Sequence, residues 1–500
     1  MTKTWRTRIR WLVPLVLFGA GFLLAAFLLS STVGFVGTDD YYHSRIASQI
    51  LAQRSLRLDF PWLPLTILAP QHFVDHHLLY HLYLAPWVYW GGIAGAKLAQ
   101  AVVVGSIVVV FWALLRLLQV RFALIWTLGI AATSSTFLYR MLMIRTQAAA
   151  VLIILITLYL LFQRRYRWLA LCTFAFTWLY NGFILLPVII GLYTVAEAIT
   201  ERHLAWKPIA YALVGMTLGL IVNPYFPQNI SFIIEHLGEK VDINSSIRVG
   251  NEWYPYDTNV LLRNAFGAML AMAAGVLAPS FRHKRRDRVE TTLLLIALLT
   301  LYMVFRSRRF IEYYPPFALL FCAIAWGRSR FSWRTLSPPI PRQRSLKPLY
   351  GVFFLLPVLV LAVATVRSTA ADIRDAKSAD YMQGAAAWLH ANTEAGTMIF
   401  QLDWDDFPYL FFHNTQNAYL VGLDPTYLQL ASPDLWNLWV SITQGRVEQP
   451  SGFILNTYGA PYVVGDRQHD AFADQAANDP NMQIVYLDQY SIIWRVNTSD

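Results

Sequence analysis

The sequence predicts a polytopic α-helical membrane protein that ends in a small soluble α/β domain. Three observations predict it. Hydrophobic residues make up 56% of the 500 residues and charged residues only 14%, against about 25% charge in an ordinary soluble domain, so water cannot coat most of this chain. Apolar stretches near the ~20 residues needed to cross a bilayer recur eleven times in residues 1–367. Charge is also split: residues 1–367 hold 35 bases and 14 acids, whereas residues 368–500 hold 16 acids and 5 bases. This composition excludes a disordered chain, a coiled coil and a wholly soluble enzyme. The bases sit between apolar runs, so no nucleic-acid partner is expected. Cys172 and Cys322 both lie in apolar stretches, which leaves no disulfide framework and no cysteine metal site.

The eleven stretches fall near 11–31, 95–118, 121–139, 146–163, 166–182, 183–200, 207–225, 259–279, 290–305, 311–327 and 349–366. The first follows Lys3, Arg6, Arg8 and Arg10. Its apolar run is long and shows no small-residue cleavage site, so it reads as a retained anchor. The segment 78–92 is too short for a twelfth span and reads as interfacial or re-entrant. With the N-terminus inside, the inner loops and N-terminal arm collect 22 Lys and Arg and the outer loops about ten, which fits the positive-inside bias. Those inner loops include Gln163-Arg-Arg-Tyr-Arg167, Arg202 with Lys207, and the stretch 328–347 with its Pro-rich Ser337–Arg342. They read as solvated charge. The outer face then holds a large first loop (32–94), a loop at 226–258, short turns near 140–145 and 306–310, and the tail.

The tail, 368–500, alternates helical patterns (380–392, 432–443) with strand-like runs (398–402, 461–464, 482–487, 490–495). That spacing predicts a soluble α/β domain of ordinary size, beside a transmembrane domain over 1–367.

Chemistry-bearing residues gather on the expected outer side. The first group is Gly37-Thr-Asp-Asp-Tyr-Tyr-His-Ser-Arg45. Two adjacent carboxylates, Asp39 and Asp40, stand at the membrane boundary, where charge is costly unless paired or used. The alternative is a helix cap opening an amphipathic helix over 40–53. A second group lies in the tail, Asp403-Trp-Asp-Asp-Phe-Pro-Tyr409, which also reads as a surface turn.

Together these two groups carry a resemblance. Asp39-Asp-Tyr-Tyr-His-Ser-Arg45 resembles the Asp-x-Tyr-Phe-Asn-x-Arg motif of the catalytic subunit of oligosaccharyltransferases, at the same place in the first outer loop. Asp403-Trp-Asp-Asp-Phe-Pro-Tyr409 resembles their acceptor-recognising Trp-Trp-Asp-Tyr-Gly motif, with Asp405 in place of the second Trp and Pro408 in place of Gly. Their acidic pair in the second outer loop is missing, because this chain has Tyr139-Arg-Met-Leu-Met-Ile-Arg145 there. The resemblance therefore points to the GT-C superfamily of membrane glycosyltransferases more than to protein N-glycosylation. It implies an integral protein of a bacterial or archaeal plasma membrane, with a cytoplasmic N-terminus and an extracytoplasmic tail. The implied partners are membrane lipids, a polyprenyl-phosphate-linked sugar donor, and an acceptor protein, lipid or glycan. By the same resemblance Asp39 and Asp40 are catalytic, Trp404, Asp406 and Glu252 meet the acceptor, and Arg308 or Arg309 holds the donor phosphate.

Further groups stand on the residues themselves. In Gln71-His-Phe-Val-Asp-His-His-Leu-Leu-Tyr-His81, His77 and His81 are one helical turn apart, next to Asp75 and His76. Carboxylate with imidazole suits a divalent metal such as Mg or Mn, with Asp39, Asp75 and His76 as the expected ligands. Headgroup or backbone hydrogen bonding is the alternative. Arg140, Arg145 and Arg306-Ser-Arg-Arg-Phe-Ile-Glu-Tyr-Tyr314 run against the charge bias. Arginine forks suit phosphate oxygens, so Arg145, Arg308 and Arg309 are the expected phosphate ligands, with structural pairing to Glu312 or Asp75 the alternative. Asn223-Pro-Tyr-Phe-Pro-Gln-Asn229 and Asn251-Glu-Trp-Tyr-Pro-Tyr256 read as belt residues or as a loop that closes over substrate. The runner-up class is a transporter or flippase of lipid-linked sugars, which would need charges buried in mid-span and paired broken helices.

Overall fold

The computed structural model describes residues 3–241, 251–282, 285–328 and 347–497. They form two compact units: Met1–Ser31, Lys97–Val222 and Asn251–Asp375 make one, and Thr32–Ala96, Asn223–Gly250 and Ala376–Asp500 make the other. The Pro-rich Ser337–Arg342 and nearly all of the stretch 328–347 lie outside the described residues.

The first unit is helical. Helix Arg167–Leu179 packs on Trp206–Ile221, Leu185–Glu201 on Arg288–Arg306, and Thr258–Arg282 on Tyr314–Gly327. Small residues set the first of these contacts. A Cβ at Gly215 would run into the Ala170 carbonyl and one at Gly219 into Thr177, so glycine lets the two backbones approach, as in membrane helix pairs. Helix Tyr314–Gly327 is buried on nearly every side, consistent with its all-round apolar sequence.

Eleven full-length spans are not what the described residues show. Five helices are long and apolar enough to cross a membrane: Leu12–Leu29, Leu78–Leu117, Thr258–Ser280, Arg288–Arg306 and Leu355–Arg374. Ser135–Leu142 and Thr146–Phe162, bent by 105°, make a sixth if taken together. The remaining apolar stretches form shorter helices, Leu185–Glu201 with 17 residues the longest of them. The one at 121–139 splits at a 3-10 turn over Gly129–Ala132, and helices Arg167–Leu179, Trp206–Ile221 and Tyr314–Gly327 have 13, 16 and 14 residues. Hydropathy windows sum across such breaks, so an apolar stretch need not be one long helix. The segment 78–92, expected as interfacial, is the opening part of helix Leu78–Leu117, which is broken at Gly92 (φ 52°, ψ −130°). Few residues other than glycine adopt a positive φ there.

The second unit joins the first loop and the tail. Its sheet has the order β2-β1-β3-β5-β4, with β1 Met398–Gln401, β2 Ala418–Tyr419, β3 Tyr462–Asp466, β4 Met482–Leu487 and β5 Ser491–Val496. The first three strands run parallel, with Ile399 opposite Tyr419 and Phe400 opposite Val463; β3, β5 and β4 are antiparallel, with Val464 opposite Ile493. Phe400, Val463, Trp494, Trp439, Ile454 and Phe472 fill the core. The Trp439 indole N–H donates to the Gln401 carbonyl at 2.9 Å, which satisfies the one polar group this large side chain carries inside. Segment 60–67 is stitched to the tail. Tyr419 N–H donates to the Trp62 carbonyl (2.8 Å), Trp62 Nε1 to the Thr415 carbonyl (2.8 Å), and Ile67 N–H to the Tyr427 carbonyl (3.1 Å).

Candidate active site

In the second unit, helix Thr38–Gln53 opens after Gly37. Asp40, fully buried, accepts the Gly37 N–H at 3.0 Å, the return half of a capping box. Of the two carboxylates, Asp40 therefore holds the helix start. Asp39 sits half-buried in the same turn, its negative charge at the positive end of the helix dipole.

One turn further along is a chain of buried groups. His43 Nδ1 lies 2.7 Å from His81 Nε2, and His81 Nδ1 lies 2.8 Å from Asp75 Oδ2. The other Asp75 oxygen accepts the His77 N–H at 3.0 Å. With its Nδ1–H on Asp75, a neutral His81 accepts at Nε2, so His43 donates from Nδ1. His77 and His81 do stand one turn apart, with the His81 N–H on the His77 carbonyl at 3.1 Å and the rings 6.3 Å apart edge to face. The helix begins only at Leu78, and Asp75 reaches His81 around its start. His43 was legible only as a member of the 37–45 motif.

The expected metal ligands are not brought together as a set. Asp75 is engaged by His81 and His77, while the His76 ring stacks on Phe232 (5.1 Å between centroids, 20° between planes). Among the described residues no group of three His, Cys, Asp or Glu is arranged to hold a metal ion. As arranged, these side chains do not present a donor set for a divalent metal.

The tail motif folds as its caps dictate. Asp403 accepts the Asp405 N–H at 3.0 Å and opens a 3-10 turn over Trp404–Asp406. Helix Phe407–His413 follows, with Pro408 in its first turn, a position where a missing N–H costs nothing. This helix packs on Thr38–Gln53: Tyr41 meets Tyr409 (4.6 Å) and Tyr42 meets Phe411 (6.0 Å), while Arg45 Nε donates to the Phe411 carbonyl (3.2 Å). The two motifs that carried the resemblance thus lie against each other, although more than 350 residues separate them in sequence. Asp406, expected at the acceptor, points inward instead. It is 2% exposed, and its Oδ1 accepts the Tyr381 hydroxyl at 2.9 Å. Its Oδ2 has no hydrogen-bond partner among the described residues. Burial, with Asp403 nearby, pushes this carboxyl up to about 7. Trp404 is half-buried and packs against the sheet core.

The first unit holds the arginines. Arg140 comes from helix Ser135–Leu142, and Arg145 from the corner where the chain bends by 105° into Thr146–Phe162. Arg309 and Glu312 come from the 3-10 turn Arg308–Glu312, capped by Ser307, and Glu252 from the short turn Asn251–Trp253. Arg140 donates to Glu312 through Nε (2.5 Å) and Nη2, and its Nη2 also reaches Glu252 at 3.1 Å. Arg309 Nη1 donates to Glu252 at 3.2 Å, and Arg145 Nη1 stands 3.6 Å from it. The Arg309 guanidinium also lies 4.9 Å over the Trp253 ring. Ser307 Oγ donates to the Glu252 carbonyl at 2.8 Å and fixes the turn. Burial alone would raise the Glu252 carboxyl, but Arg309, Arg145 and Arg140 hold it well below the usual carboxylate range. The same exchange keeps Arg309 charged, with its pKa raised.

Three guanidiniums thus share two carboxylates, which leaves one positive charge in surplus. The structure brings Arg145, Arg309 and Glu252 together but sends Arg308 elsewhere. Arg308 Nε donates to the Pro255 carbonyl at 3.1 Å, and its guanidinium lies 5.5 Å over Tyr256. Glu312 pairs with Arg140, the structural pairing named as the alternative for these arginines.

No protein-family model matches the chain, and no curated protein does. Several solved structures share its fold. The oligosaccharyltransferase of Archaeoglobus fulgidus aligns at TM-score 0.65 with 14% identity, over 93% of this chain and 71% of that one; the same protein, AglB, has been solved with an inhibitory peptide and a dolichol-phosphate. ArnT from Cupriavidus metallidurans, bound to undecaprenyl phosphate, aligns at 0.59 with 15% identity over 97% of each chain. The mycobacterial arabinofuranosyltransferase AftD aligns at 0.63 with 14% identity, over 98% of this chain and 40% of that one. All are GT-C glycosyltransferases, and the fold of this chain is theirs.

Proposed function

We propose that this chain is a membrane glycosyltransferase that moves a sugar or glycan from a polyprenyl-phosphate-linked donor to an acceptor hydroxyl or amide on the extracytoplasmic side. The N-terminus lies in the cytoplasm and the tail outside, as the charge bias requires. The observation that carries this reading is the arginine cluster. Three guanidiniums against two carboxylates form a net cationic site, on a fold whose solved members include one bound to undecaprenyl phosphate.

In the reaction, the bond from the sugar anomeric carbon to the phosphate oxygen breaks and its electron pair stays on the phosphate. The departing phosphate gains a negative charge, and Arg309 with Arg145 stabilises it. Glu252 holds the forks in register beforehand, and the 3.6 Å contact to Arg145 is the loosest of its pairings. The acceptor oxygen or nitrogen forms the new bond to the sugar and gives up its proton. Asp39 positions the acceptor and takes that proton. The Asp75–His81–His43 chain lies one helical turn along and orders the site's polar groups. Trp404 remains the aromatic contact for the acceptor, with Asp406 supporting the turn from inside.

The test is a lipid extract. Cells lacking the protein should accumulate a polyprenyl-linked sugar, and wild-type chain should clear it. Asp39→Asn should clear it about 10²–10⁴-fold more slowly, the range for losing a general acid–base group, with the protein still folded in detergent. Clearance by Asp39→Asn at the wild-type rate would reduce Asp39 to a helix-end residue, and the absence of any accumulating lipid-linked sugar would refute the donor class.

A further inference from the structure

The turn between helices Thr146–Phe162 and Arg167–Leu179 borders an open, solvent-facing groove of about 550 Å³. Arg164, Arg165, Tyr166, Arg167 and Trp168 line it, with Lys207 and Tyr211 from Trp206–Ile221. Four cations and three aromatic rings make the wall, and no acid lies in it. Lys207 and Tyr211 are one turn apart on the same helix face, and the close glycine packing of that helix on Arg167–Leu179 brings them to the turn. The Tyr166 hydroxyl is held 3.0 Å from the Tyr193 hydroxyl, and Arg167 lies 5.9 Å over the Trp168 ring.

Neighbouring cations in this unit behave differently. Arg288 reaches Glu197 at 3.3 Å and Glu201 at 3.2 Å, and Arg328 reaches Asp287 at 2.8 Å. In the groove wall Arg164 is 3.5 Å from Glu201, whereas Arg165, Arg167 and Lys207 form no ion pair among the described residues. These bases are exposed to solvent, as a charge bias that only orients the chain requires; such a bias does not also require them to line one groove with aromatic rings between them.

We propose that this groove binds the phosphate ester of an anionic lipid headgroup, in the leaflet that the charge bias assigns to the cytoplasm. Basic pockets between membrane helices on that side suit such headgroups, the volume lies within the usual range for small ligands, and Trp168 and Tyr211 are ring types that favour headgroup depth. The site is separate from the arginine cluster and does not depend on the proposed transfer reaction.

The experiment uses the purified full chain in detergent, titrated with phosphatidylglycerol, phosphatidylcholine and glycerol 3-phosphate, with bound molecules counted by native mass spectrometry. Phosphatidylglycerol should bind in preference to phosphatidylcholine. Arg165→Gln, Arg167→Gln and Lys207→Gln should each weaken it on the order of fivefold, with melting temperature in phosphatidylcholine unchanged; Arg167→Lys should keep most of the binding. Competition by glycerol 3-phosphate at the same affinity would keep the phosphate-ester site and make its ligand a soluble one. Equal binding of the two lipids, or a phosphatidylglycerol preference that survives all three glutamine variants, would overturn the proposal.

Discussion

Two sets of cations in the helical unit differ in company more than in charge. Arg140, Arg145 and Arg309 share Glu252 and Glu312. Arg165, Arg167 and Lys207 line a groove with no acid in its wall. Burial explains the difference. Side chains in the first set are only 12–14% exposed, and a guanidinium so desolvated must be paired. Arg165 and Arg167 are exposed and need no partner to be stable. Pairing, then, measures what the fold demands, and the surplus charge in either place measures what a ligand can use.

Glu312→Ala should break this comparison most severely. It removes the buried carboxylate that accepts from both Arg140 Nε and Nη2 and leaves Arg140 only Glu252; removing one partner of a buried pair costs about 3–5 kcal/mol, so thermal unfolding should come many degrees earlier. A melting temperature within error of wild type would mean that the cluster is wet and its pairing incidental. A smaller effect is expected at Asp406, a buried acid without a cation of its own. Its folded pKa of about 7 stands above the ~3.9 of an unfolded Asp. The stability it contributes is therefore greatest below pH 4 and is lost as pH rises through 7. Between pH 5.5 and 8.5 this group should cost about 2 kcal/mol, and Asp406→Asn should flatten that part of the stability curve. An unchanged slope would place the pH dependence elsewhere, His469 being the next candidate because Asp466 raises it. The smallest effect belongs to the groove. Arg167→Gln, measured without anionic lipid, should shift stability by less than about 0.5 kcal/mol, as surface substitutions usually do; a large loss would show that the unpaired set is structural after all.

Local pattern carried the tail. The run at 398–402 is the strand Met398–Gln401, that at 482–487 is Met482–Leu487, and the helical pattern at 432–443 is Pro433–Thr443. The amphipathic helix at 40–53 is Thr38–Gln53. These elements follow from alternation and capping within a dozen residues. What the sequence concealed is long-range. Hydrophobic windows did not show the break at Gly129–Ala132 or the 105° bend that sets Arg145 on Glu252. Nothing in the order of residues showed that segment 32–96 folds with the tail, or that His43 would find His81 thirty-eight positions away. The resemblance places Asp406 at the acceptor, with a surface turn as the alternative. Its inward direction depends on Tyr381, in the turn that precedes helix Gln383–Asn392.

The most direct measurement is a titration of undecaprenyl phosphate into the purified wild type and the Arg309→Lys, Arg309→Ala and Arg308→Ala variants, each with its melting temperature. A charged hydrogen bond is worth about 1.5–3 kcal/mol, so Arg309→Ala should raise Kd roughly 10–150-fold. Arg309→Lys keeps the charge but loses the fork and should fall between the two. Arg308, turned to the Pro255 carbonyl, should matter little. Melting temperatures of the Arg309 variants should fall less than that of Glu312→Ala, because Arg140 and Arg145 still hold Glu252. Undecaprenyl phosphate affinity that is unchanged in both Arg309 variants would contradict the phosphate clamp and, with it, the donor proposed for this chain.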